Sequence, residues 1–148
     1  MSDPQAIVDR VEIEALRGEF SDAATMHDSD RLASLFTHDG VWRMPDIPAE
    51  LTGPEEIRPW VGQRPAEYLV QTAHPGTIQL NGDTASGRTH IQEIGRSRDG
   101  MSFLNYAIYH DRYRRTPDGW KFTERVYEIR YLDTTPLTGS PHPAWSDR

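Results

Sequence analysis

The side chains with chemical reach lie mostly in the second half of the chain. His74 precedes Pro75 and, read by simple alternation, shares a face with Gly76, Ile78 and Leu80. Among such neighbours desolvation disfavours an imidazolium unless a carboxylate compensates, and imidazole near neutrality moves protons to and from carbon or oxygen. The alternative is a core histidine satisfied by a backbone carbonyl. Two acids are candidate partners for it. Asp111 shares a face with Ala107 and Tyr109, and Glu93 shares one with Ala85, Gly87, Thr89 and Ile91. A carboxylate buried against such neighbours is a base with a raised pKa. Asp111 ranks slightly ahead, because Arg96 and Arg98 near Glu93 also suit a solvated strand end. Tyr109 and Tyr127 can hydrogen-bond a carbonyl or enolate, or serve only as wall aromatics. Arg125 can stabilise an oxyanion or pair with one of the acids.

These residues depend on the elements that carry them. Met101 to Leu132 reads as a long hairpin, turning at Thr116-Pro117-Asp118-Gly119, where proline presets φ and glycine tolerates a positive one. Phe103, Asn105, Ala107, Tyr109 and Asp111 share one side of its first strand; Arg125, Tyr127, Ile129 and Tyr131 share one side of the second. Aromatics mixed with an amide, a carboxylate and a guanidinium make a poor dry core and a good pocket wall. Upstream, Ile13, Leu16, Phe20, Ala23 and Ala24 recur at helical spacing between Pro4 and Met26. His27-Asp28-Ser29 breaks that helix and caps a second, Asp30 to Phe36, which ends at His38-Asp39-Gly40. A short strand, Val41 to Met44, and a loop from Asp46 to Leu51 follow. Thr52-Gly53-Pro54-Glu55 has the form of a capping box opening a third helix through Ile57, Trp60 and Val61. Tyr68 to Leu80 and Thr84 to Arg96 are strands joined by Asn81-Gly82-Asp83. Helices followed by antiparallel strands predict an α+β fold, a bent, mostly antiparallel sheet with helices on one face. Residues 1–133 would form one domain and residues 134–148 a proline-rich tail in which Trp145 docks or hangs free.

Composition excludes several classes. Net charge is −7, from 16 basic and 23 acidic residues, which argues against nucleic acid or anionic membrane as a partner. No run approaches the length of a membrane span, and the acidic N-terminus lacks the pattern of a signal peptide. Cysteine is absent, which removes disulfides and thiolate metal sites and suits a cytoplasmic location. Neither the histidine spacing nor any glycine-rich loop provides for a metal, a nucleotide or another cofactor.

The stretches ASLFTHDGVWRMP and YHDRYRRTPDGWKFTER, in this order of elements, resemble the SnoaL-like proteins of the cystatin-like cone fold named for nuclear transport factor two. That family includes polyketide cyclases, scytalone dehydratase, ketosteroid isomerase and hexachlorocyclohexane dehydrochlorinase. The resemblance implies a conical pocket between helices and concave sheet, a homodimer, a small-molecule substrate and no metal or organic cofactor. The family's dehydratases pair a histidine with an aspartate. His74 falls on the histidine position, Thr25 on that of the aspartate, and Phe20 on that of a tyrosine one turn earlier. Arg125 matches a pocket-lining arginine.

The expectation is a cofactor-free acid–base enzyme, a cyclase, isomerase or dehydratase of a small, largely apolar, polycyclic or polyketide-like metabolite. His74 would act with Asp111 or Glu93, and Arg125 would polarise oxygen. Tyr109, Tyr127, Phe20, Thr25, Trp42, Met44 and Asn105 would line the substrate. The competing expectation is a non-catalytic binding or dimerisation domain, favoured by Thr25 and Phe20 where the family places aspartate and tyrosine.

Overall fold

A computed structural model describes residues 3–64 and 66–142. Trp145 and the end of the tail lie outside the described residues. The elements run α1 (Pro4–Met26), α2 (Ser29–Ser34), β1 (Phe36–Met44), β2 (Ala49–Thr52), α3 (Gly53–Gly62), β3 (Ala66–Asn81), β4 (Thr84–Ser97), β5 (Ser102–Thr116) and β6 (Gly119–Asp133). The strands form one six-stranded sheet in the order β2-β1-β6-β5-β4-β3. Only the β1–β6 pair is parallel. The sheet curls without closing, and the helices fill its concave side, so the architecture is the expected α+β cone.

Local chemistry accounts for the helix ends. Asp3 caps α1, its Oδ1 accepting from the Gln5 N–H at 3.1 Å, and Pro4 takes the first turn, where no N–H is needed. His27 stops the helix in a left-handed conformation, with φ of 54°. Asp28 caps α2 through Arg31 N–H at 3.1 Å. The second helix is shorter than expected, because Phe36 already belongs to β1, and the expected loop after β1 contains β2. At α3 the threonine side chain makes no cap bond; Glu56, rather than Glu55, reaches back to the Thr52 N–H at 2.9 Å.

The buried stripe of α1 runs through Asp9, Ile13, Leu16, Arg17, Phe20, Ser21, Ala23 and Ala24. Phe20 is fully buried and is the hub of the core, with ring centroids 5.3 to 6.1 Å from Trp42, Tyr109, Phe122 and Phe36, all edge-on. At one end Asp9 accepts both Arg115 guanidinium nitrogens, at 2.7 and 2.9 Å, and the Trp120 indole N–H at 3.2 Å, tying α1 to the β5–β6 hairpin. These bonds, the Arg115 pair foremost, hold the Asp9 carboxyl well below the usual range.

Register shifts in the sheet decide which residues face inward. Between His74 and Thr77 the β3–β4 register shifts, so Gln71 and Ala73 face the cone on one side of the shift and Ile78 and Leu80 on the other. Gly76 permits this: a Cβ there would sit 1.8 Å from the Arg88 carbonyl oxygen. A second shift on β6 pairs Ile129 with Ala107 but Tyr131 with Tyr106. Tyr131 therefore leaves the inward face on which alternation puts it and is 61% exposed.

Candidate active site

The concave face carries its polar groups in rows set by strand register. The deepest row is Gly87–Asp111–Arg125–Trp42 across β4, β5, β6 and β1. Next come Thr89–Tyr109–Tyr127 and then Gln71–Glu93–Asn105.

In the deepest row Asp111 and Arg125 form an ion pair whose side chains are both without solvent exposure. Arg125 donates from Nε at 2.7 Å and from Nη2 at 3.1 Å. Thr89 and Tyr113 hydroxyls donate to Asp111 Oδ2 at 2.6 and 2.7 Å, and Arg17 Nε donates to the Tyr113 oxygen at 2.8 Å. Asp111 thus accepts four hydrogen bonds, three of them on Oδ2. The Arg125 guanidinium also lies over the rings of Tyr109, Phe122 and Phe20, 3.9 to 4.4 Å from their centroids. Among the described residues its Nη1 has no partner, and neither has the indole Nε1 of its cross-strand neighbour Trp42. Both are buried donors on neighbouring strands, and a buried donor without a partner is the kind of group that suits an oxygen atom of a ligand.

Glu93 sits differently. It is buried and takes part in no ion pair among the described residues. The Tyr127 hydroxyl donates to its Oε1, and Asn105 Nδ2 donates to the Tyr127 oxygen at 3.1 Å. Burial pushes the Glu93 carboxyl above its ordinary value; contacts from Tyr127 and Gln71, the more distant Arg64 charge and Asn105 oppose that shift. The Tyr127 and Tyr109 hydroxyls are pushed up too, by burial first and the Glu93 charge second. Asn105 Oδ1 is buried without a donor among the described residues. The arrangement is a carboxyl group that holds its proton more tightly than an ordinary glutamate, beside an unfilled acceptor and aromatic walls.

His74 is not part of this group. It is exposed and lies on the outer face of the sheet, opposite His90 on β4, with Tyr106, Ile108 and Arg130 around the same cleft. The shift at Pro75-Gly76 is the physical reason, since alternation counted back from Leu80 crosses it. Thr25 faces β3, but its hydroxyl serves the backbone of Gln71, accepting from N–H at 2.9 Å and donating to C=O at 3.2 Å. Phe20 belongs to the core hub described above. Trp42 and Met44 are buried on the inward face of β1. Glu93, Asp111, Arg125, Tyr109, Tyr127 and Asn105 do come together on the concave face.

A family model described as a SnoaL-like domain matches residues 5–126. The chain belongs to the SnoaL-like family. A gamma-hexachlorocyclohexane dehydrochlorinase of Sphingobium indicum is 28% identical over 144 residues, covering 94% of this chain and 90% of that one. An uncharacterized protein of Mycobacterium tuberculosis is 29% identical over 125 residues, 81% of this chain and 84% of the other. The structure of a hexachlorocyclohexane dehydrochlorinase from Novosphingobium barchaimii superposes with a TM-score of 0.82 at 22% identity, over 97% of this chain and 99% of that one. At that identity the superposition speaks for the fold.

The SnoaL-like cone also holds residues that the sequence pattern passed over. Gln71 and Ser21 are buried beside Glu93, and Ser21 Oγ donates to Gln71 Oε1 at 2.8 Å. Arg64, just past α3, donates to the Ala24 carbonyl at 2.7 Å, and its Nε has no partner among the described residues. Placing a bulge at Pro75-Gly76 would have turned Gln71 inward, and the step from Arg17 to Ser21 continues the buried helix stripe.

Proposed function

We propose that this SnoaL-like domain is a proton-transfer enzyme acting on a small, largely apolar molecule of polycyclic or polyketide type, with Glu93 as its acid–base. The observation that carries this reading is the burial of Glu93 against Tyr127 without an ion-paired cation, which raises its carboxyl pKa. Ionised, Glu93 takes a proton from carbon next to a carbonyl, and the C–H electron pair moves into the carbonyl to give an enolate. Arg125 Nη1 and Trp42 Nε1 are the free donors for the oxygen that gains charge. Protonated, Glu93 returns the proton to another carbon, which is isomerisation, or to a departing hydroxide, which is dehydration. Attack of the enolate on a second carbonyl is cyclisation. Asp111 is neutralised by its ion pair with Arg125, accepts four hydrogen bonds and holds Arg125 in place. Dehydrochlorination, the activity named for the Sphingobium indicum relative, also starts by taking a proton from carbon, but there the C–H electron pair forms the C=C bond as chloride leaves the neighbouring carbon.

Deuterium uptake from heavy water into a panel of cyclic ketones and hydroxyketones tests the reading by NMR. Glu93→Gln is expected to reduce uptake about a hundredfold or more while ligand binding persists. A binding domain would show no uptake in either protein and a change of affinity alone.

We further infer a cytoplasmic homodimer that packs through the outer sheet face, where Val70, Tyr106 and Tyr131 are 45%, 48% and 61% exposed.

A further inference from the structure

We propose that Ser21 and Gln71 are positioning residues for Glu93: the Ser21 hydroxyl fixes the Gln71 amide so that its NH2 group faces the carboxyl. The proposal rests on the acid–base reading of Glu93. Gln71 lies on β3, an edge strand, and pairs with Glu93 of β4. The Gln71 backbone N–H and C=O both engage Thr25, so they point away from β4. The Gln71–Glu93 pair is therefore of the non-hydrogen-bonded kind, in which side chains stand closest. Thr25 acts here as one rung of a ladder, holding the backbone of an edge residue that no strand covers.

The amide itself has two unlike ends. Ser21 Oγ donates to Gln71 Oε1 at 2.8 Å, with both residues buried, which commits the oxygen to α1 and directs the nitrogen to Glu93. Without that hydroxyl the amide is free to turn its oxygen to the carboxyl and set two acceptors face to face. The other groups facing Glu93 are the Tyr127 hydroxyl from β6, Asn105 and Tyr109 from β5 and the Arg64 charge beyond α3. None of these hydrogen-bonds to Ser21.

The test follows the titration of the Glu93 side-chain carboxyl by 13C NMR in the full chain. Ser21→Ala is expected to raise its midpoint by about half a unit or more, since a donor to the ionised form is lost. Ser21→Thr, which keeps the hydroxyl, should restore it. Gln71→Leu should raise the midpoint at least as far, and adding Ser21→Ala to Gln71→Leu should shift it no further. An unmoved midpoint in Ser21→Ala overturns the proposal, as does an equal shift with and without the Gln71 amide. The readout is the proton of Glu93, not turnover. Full deuterium uptake by Glu93→Gln would remove the acid–base reading and leave the positioning result as measured.

Discussion

Asp111 and Glu93 stand on the same concave face, buried, on neighbouring strands, and have opposite surroundings. Asp111 receives two guanidinium bonds from Arg125 and a hydroxyl each from Thr89 and Tyr113. Glu93 receives the Tyr127 hydroxyl and the amide contacts of Gln71 and Asn105, with the Arg64 charge at a distance. A carboxylate neutralised and hydrogen-bonded in this way is part of the frame. One desolvated without a counter-ion has a proton to trade, at a cost in stability. Burial alone does not separate an architectural acid from a reactive one; the partner list does.

The largest effect should come from breaking the architectural acid. Asp111→Asn leaves the buried Arg125 guanidinium without its countercharge and should cost about 3–5 kcal/mol in denaturant unfolding, and turnover should fall as well, because Arg125 loses the group that holds it. A neutral result would mean that the pair is not structural.

For stability, Glu93→Gln should do the reverse. Turnover falls as above, and stability relative to wild type improves as pH rises. The sign follows from the raised pKa. Below the ordinary value of 4.5 both folded and unfolded wild type hold the proton. Above it the unfolded chain ionises freely and the folded one resists, so wild-type stability declines until the folded carboxyl also ionises. Melting temperatures of the two proteins across this window should therefore diverge in favour of the variant. Divergence in the other direction would place Glu93 with Asp111.

The outer face provides a smaller contrast. Tyr106→Asp should convert the expected dimer into a monomer by sedimentation, with the Glu93 titration unmoved. A wild-type monomer at micromolar concentration would contradict the dimer. Smallest of all is His74→Gln. It should leave turnover and melting within error, because the side chain is exposed on the far side of the sheet.

Much of this contrast was legible in the chain. β4 and β5 pair without a register shift, so alternation alone set Glu93, Asn105, Tyr109 and Asp111 on one face. The Pro117–Gly119 turn marked the β5–β6 hairpin, but a register shift between Arg112 and Tyr113 is what brings Arg125, rather than Glu124, opposite Asp111. What misled was irregularity. One extra residue at Pro75-Gly76 reversed His74, and one on β6 reversed Tyr131, because a strand's side-chain period is two and any insertion exchanges the faces. Family position strengthened the expectation for His74 but carries no information about a local bulge. Ser21 and Gln71 were passed over since nothing in their residue types marks a buried pair whose value lies in contact between α1 and β3. The order of the two acids also needed coordinates: both have apolar strand neighbours, and only the structure shows that Arg125 is bound to one of them.

The central claim is that Glu93 holds a proton that an ordinary surface glutamate has given up. Its side-chain 13C carboxyl titration in the wild-type protein tests this most directly, assigned by the signal lost in Glu93→Gln. The account predicts a midpoint displaced upward from 4.5, moving down when the chain unfolds. A midpoint at or below 4.5 in the folded protein would contradict it and leave the cone without a proposed acid–base.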